Sequence, residues 1–267
     1  KAYAKKSDRE EIIYTAECLS LPTKALVKSN DTSCVKMGFS PYKASVMSEV
    51  ERNRLARLLD QKKTYTWIEM MDDILQTKRV TDLRQYKPST FMYLFLSAGS
   101  KFRQGHLNRA LPSSYIKEIQ KHWGFKRFVV MVVTDSRYSN LQKELLKIDA
   151  SAKLNSETHF YLAMNAIEHE QNENALAHLK KSHQLAYYRS HKDKAVFWQY
   201  QLTKDKKSLE QLGESVDLNL YAPYAKEKLS MEVTNFYSKP PTYTNNPTKA
   251  QPTNPSPRQQ LLKQNEK

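Results

Sequence analysis

The residues most able to do chemistry are the seven histidines, because imidazole ligates metals and moves protons near neutral pH. His159 and His169 stand ten apart and His178 and His183 five apart, the latter a poor match to one helical face. No His-Glu-x-x-His is present, and Glu168-His169-Glu170 falls at a polar helix end that faces water. Nucleophilic catalysis has no support either. There is no Gly-x-Ser-x-Gly, and neither Cys18 nor Cys34 sits in a glycine-rich elbow. The glycines, five in all, are too few and too scattered for a loop that cradles phosphate. The expectation is therefore no catalytic residue, no cofactor and no metal.

Cys18 and Cys34 flank Pro22 and the polar run Ser29-Asn30-Asp31-Thr32-Ser33. Two cysteines make a poor zinc site. In an oxidising compartment a disulfide between them would contribute about 3 kcal/mol by restricting the unfolded chain. The alternative is two free buried thiols, and composition leaves both open. The aromatic stretch Tyr187, Tyr188, Phe197, Trp198 and Tyr200 could stack on sugar rings or simply fill gaps between helices. The formal net charge of +15 points to an anionic partner or to a solvated lysine-rich surface. Basic pairs at Lys5-Lys6, Lys62-Lys63, Lys180-Lys181 and Lys206-Lys207 are spread along the chain and form no dense recognition helix, so nucleic acid is not the expected partner.

The elements that would carry these residues are helical. Scarce glycine with abundant Lys, Leu, Ala, Glu and Gln favours helices over turns and strands. Residues 9–19 read as a helix with Ile12, Ala16 and Leu19 on one face and Asp8 as N-cap. Ser40-Pro41 starts a stretch to Asp60 carrying Val46, Val50, Leu55, Leu58 and Leu59. A further helix spans about Tyr65 to Thr77, and Pro88 opens the apolar segment Phe91 to Leu96. Pro112-Ser113 starts one through Ile116, Ile119 and Trp123. Phe128-Val129-Val130-Met131-Val132-Val133 is β-branched and strand-like, but a lone strand has no partner, so it reads as a buried helix. From Ser156, taken as a cap, helices carry Phe160, Ala163, Met164 and Ile167, then Ala175, Leu176, Leu179, Ser182 and Ala186, then Ala195, Trp198 and Leu202. Two more run from Ser208 to Gly213 and from Tyr221 to Met231. The pattern predicts an all-α superhelix, a solenoid of stacked helix pairs, over residues 1–238. Pro240, Pro241, Pro247, Pro252, Pro255 and Pro257 mark 239–267 as a disordered or extended linker or tail. No transmembrane segment and no signal peptide are visible, and the opening Lys1-Ala2-Tyr3 reads as a processed or excised start.

Asp193-Lys194-Ala195-Val196-Phe197-Trp198 with Leu202-Thr203-Lys204-Asp205, and Leu218 through Leu229, resemble the helical region of bacterial soluble lytic transglycosylases. Glu17-Cys18-Leu19-Ser20-Leu21-Pro22 with Ser33-Cys34-Val35 is similar too, and the match is strongest over 157–232. The resemblance implies a periplasmic protein acting on peptidoglycan, with a superhelical domain against which a lysozyme-like domain sits. In that family one glutamate acts as general acid, and the sugar's own hydroxyl closes a 1,6-anhydro ring.

Glu214-Ser215 is the one pair that matches the family's Glu-Ser. Gly213 is the last glycine, so no Gly-Leu-Met-Gln can follow it, and Glu214 reads as an exposed carboxylate of the scaffold. The resemblance thus implies a non-catalytic helical domain, inactive alone, whose partners are glycan strands or peptide stems and a catalytic domain expected beyond the proline-rich segment. The alternative is a tetratricopeptide-like scaffold that binds a protein partner.

Overall fold

The computed structural model describes residues 10–59, 66–76, 82–217 and 219–232. These form helices and no strand. In chain order the α-helices are α1 (Glu10–Ser20), α2 (Thr23–Lys28), α3 (Thr32–Gly38), α4 (Pro41–Ala44), α5 (Glu49–Leu58), α6 (Thr66–Gln76), α7 (Pro88–Ser97) and α8 (Ser100–Phe102). They continue with α9 (Ser113–Ile119), α10 (Phe125–Val133), α11 (Ser139–Leu145), α12 (Ser156–Glu168), α13 (Asn172–Leu185), α14 (Arg189–Thr203), α15 (Lys206–Gly213) and α16 (Tyr221–Lys228). No described helix is long and apolar enough to cross a membrane. One compact unit ends at Met231. Of the second, Glu232–Lys267, only Glu232 is described, so the proline-rich segment lies outside the described residues, as do Asp8, Lys5-Lys6 and Lys62-Lys63.

The segment Phe128–Val133 is helical. Phe125, Phe128, Val129 and Val132 recur at i, i+3, i+4 and i+7, and all four are buried. That spacing presents one stripe to the core, and burial of the stripe outweighs the strand preference of valine. Phe128 meets Phe95 of α7 edge-on at 4.7 Å between centroids, and Phe91 and Tyr138 complete the cluster. A continuous apolar core extends through this N-terminal half, from Leu26 to Leu162. Beyond it the helices pack mainly on their sequence neighbours, α12 on α13, α13 on α14, α14 on α15 and α15 on α16, as stacked pairs do.

Several local expectations are corrected. The stretch after Ser40 is not one helix: Ser40 caps α4, which stops at Ala44, and Ser48 opens α5 with a capping box to Glu51. The break turns Val46 and Val50 outward, 72% and 78% exposed, where an unbroken stripe would have buried them. In α1 the buried residue is Cys18, while Leu19 is exposed, because α1 packs on α3 through the cysteine. Helix α9 ends at Ile119, which leaves Trp123 exposed beyond it. Ser156 is the first helical residue; the cap is Asn155, whose Oδ1 accepts from the Thr158 amide at 2.8 Å. Helix α16 stops at Lys228, short of Met231.

Cys18 and Cys34 lie at disulfide distance, with Cα atoms 4.9 Å apart. Asp31 caps α3 at the Cys34 amide and also accepts from the Tyr14 hydroxyl at 2.6 Å, so α1 and the start of α3 are tied beside the cysteines as well as through them. Gly38 permits the approach: a Cβ there would meet the Cys18 carbonyl oxygen at 2.7 Å.

Candidate functional site

Helix α13 ends at Leu185, and Ala186 and Tyr188 adopt extended backbone before α14 begins at Arg189. The link throws Tyr187 and Tyr188 outward, 88% and 62% exposed. Their rings meet edge-on at 5.1 Å, and Tyr188 meets the His191 ring at 5.6 Å. His191 is shared with a groove of about 200 Å³ between α12, α13 and α14, lined by Ser156, Glu157, Phe160, Ser182, His191 and Lys194. Ser156 Oγ donates to the Ser182 carbonyl at 2.8 Å and closes one end. The Lys194 ammonium lies 4.0 Å from the centroid of the Phe160 ring. Burial holds Lys194 below the ordinary lysine range, against the pull of the Glu157 carboxylate. Glu157 itself is bridged at 2.5 Å by Lys126 of α10.

The aromatic stretch therefore splits in two. Tyr187 and Tyr188 present faces and edges to solvent. Phe197 packs on Tyr221 and Tyr224 at 5.1 and 5.2 Å, and Tyr200 lies 6.4 Å from Tyr224. Trp198 leans on the cluster of Phe160, Ala163 and Leu179. Phe160 is buried with Ala163 and Leu179, on the helix the sequence gives it, and it also lines the groove; Lys194 and Glu157 were not marked by the sequence as groove residues. Only the Glu157–Phe160 spacing of one helical turn was available as a signal.

The histidines pair differently from their sequence spacing. His159 and His178 face each other across α12 and α13, with Nδ1 atoms 2.9 Å apart, and neither is exposed. His178 Nε2 donates to the Ile148 carbonyl at 3.0 Å, so its Nδ1 accepts and His159 Nδ1 donates. His159 Nε2 is left buried without a hydrogen-bond partner. Burial, followed by the neighbouring His178, pushes His159 down to about 4, and burial also lowers His178. His169 is engaged by the Asn165 carbonyl at 2.9 Å. Among the described residues no group of three or more His, Cys, Asp or Glu could hold a metal ion.

Glu214 caps the end of α15 on the surface, and Ser215 is buried. Ser215 donates to Asp193, a buried carboxylate that also accepts from Arg189 at 3.0 Å and Asn219 at 2.8 Å. Asn219 in turn accepts from the Tyr221 and Ala222 amides. The pair thus belongs to a network that ties α14 to α16. A wider hollow of about 480 Å³ near Arg103 and Arg137 is already internally satisfied: Arg103 donates to Tyr138 and the Ala98 carbonyl, and Arg137 pairs with Asp135. The Lys194 groove and its tyrosine rim remain the surface best arranged for a ligand.

No protein-family model matches the chain, and no curated protein matches it.

Proposed function

We propose that this chain is a helical domain that holds peptidoglycan, of the kind found in soluble lytic transglycosylases, and that it works in the periplasm. The observation that carries the reading is the exposed pair Tyr187 and Tyr188 beside the Lys194 groove. Adjacent exposed aromatic rings offer sugar rings an apolar face, and a nearby ammonium attracts an anionic polymer. The net charge of +15 supplies long-range attraction to peptide stems, which carry carboxylates. Cysteines at disulfide distance suit an oxidising compartment. The resemblance over 157–232 names the polymer, and cleavage would fall to a lysozyme-like domain rather than to Glu214.

Co-sedimentation with purified sacculi tests this reading. The chain should pellet with sacculi at low salt, and Tyr187→Ala/Tyr188→Ala should lower the bound fraction severalfold. Equal retention of the double variant would remove the tyrosines from the account. Capture of one stoichiometric protein partner, with no retention on sacculi, would favour the tetratricopeptide-like reading.

A further inference from the structure

We propose that the Lys194 groove is a carboxylate-binding subsite, and that on the cell-wall reading, on which this source of the ligand rests, the carboxylate belongs to a peptide stem. Lys194 is half-buried, and it makes no hydrogen bond or ion pair with any described residue; its partner is the Phe160 face. A partly desolvated ammonium held against an aromatic ring keeps donors that no described protein group takes, and a carboxylate meets them with the opposite charge. Glu157 does not neutralise it, because Lys126 already bridges that carboxylate at 2.5 Å. The local balance is therefore two lysines against one glutamate, which leaves a positive charge for an incoming anion.

Size and shape narrow the ligand. The groove offers only about 200 Å³ between three helices. That suits one amino-acid terminus better than a run of sugar rings. The Phe160 ring provides an apolar wall for its side chain. The exposed Tyr188 ring, adjoining His191 at the rim, leaves room for an attached sugar outside the groove. Lysine suits such a site because its ammonium is a point charge that meets a carboxylate from several directions.

The test uses the full chain and N-acetylmuramoyl-L-alanyl-D-isoglutamine as probe, in calorimetric titration. The wild type should bind the acid and should bind the same probe with its carboxylate amidated at least tenfold more weakly. Lys194→Met should lose at least tenfold for the acid, and Lys194→Arg should retain most of the binding. Lys206→Met, which removes one charge on α15, should change little. Equal binding of acid and amide by the wild type would overturn the proposal whether or not any variant folds. So would equal losses in Lys194→Met and Lys206→Met. Sacculi separate the subsite from the broader reading: retention on sacculi with equal acid and amide affinity sinks the subsite alone. No retention on sacculi, with the acid and a plain N-acetyl dipeptide bound alike, sinks the cell-wall source and supports the carboxylate subsite.

Discussion

Acidification should loosen the junction of α12 and α13 before it touches most of the carboxylates. His159 is buried, its Nδ1 is committed to His178, and its Nε2 makes no hydrogen bond. Its folded-state value of about 4 lies below the value of about 6.5 expected in the unfolded chain. The unfolded state therefore binds the proton first, and stability falls as pH drops from about 6.5 towards about 4. The full difference corresponds to about 3 kcal/mol, of which about 2 kcal/mol is lost between about pH 7 and about pH 5. Lys181 reinforces the effect on His159, while the Ala152 carbonyl opposes it. Asp149 opposes the depression of His178. The capping carboxylates Asp31, Glu51 and Asp205 are held below their ordinary range by hydrogen bonds, so their contribution disappears in a lower window, below about pH 4. Urea unfolding followed by circular dichroism, at several pH values, measures the slope for the wild type and for His159→Phe. The variant carries a constant offset from the unpaired His178, but it should lose about 2 kcal/mol less than the wild type between about pH 7 and about pH 5. Identical losses in the two proteins would refute the assignment of a depressed pKa to His159.

Other perturbations have separate signatures. Reduction of the Cys18–Cys34 pair, or replacement of both by serine, should lower stability by about 3 kcal/mol in denaturant titration, as expected for a loop of this length. Gly38→Ala places a Cβ against the Cys18 carbonyl oxygen and should cost about 1–3 kcal/mol, with the loss read as a lower unfolding midpoint. Asp193→Ala strips the acceptor from Arg189, Ser215 and Asn219, and should cost about 3 kcal/mol, with hydrogen exchange accelerating first in α16.

The helical class was legible because two signals agreed. Glycine is scarce, and the apolar residues of α10, α12 and α13 recur at helical spacing. Helix ends were less legible, because competing caps sit side by side. Asn155 and Ser156 are both good cap residues, and only the backbone shows that Asn155 takes the role. The capping box at Ser48 and Glu51 was present in the sequence as Ser-Glu-Val-Glu, yet the apolar Val46 and Val50 masked the break it causes. The site was legible only in part. Tyr187 and Tyr188 stand out as adjacent aromatics, but which aromatic of the stretch packs inward depends on α16, which brings Tyr221 and Tyr224 onto Phe197. Lys194 carries no distinguishing pattern; its character comes from Phe160, thirty-four positions earlier, and from Lys126, which takes the ion pair with Glu157. The His159–His178 contact was hidden for the same reason, since it joins facing helices rather than one face.

The most direct measurement for the account as a whole is the fraction of purified chain bound to sacculi across a salt series, with the soluble products analysed by chromatography. The account predicts retention at low ionic strength, release as salt screens the positive surface, and no anhydromuropeptides in the supernatant. Absence of retention at low salt would contradict the proposed function, and anhydromuropeptide release by the chain alone would contradict its assignment as a non-catalytic scaffold.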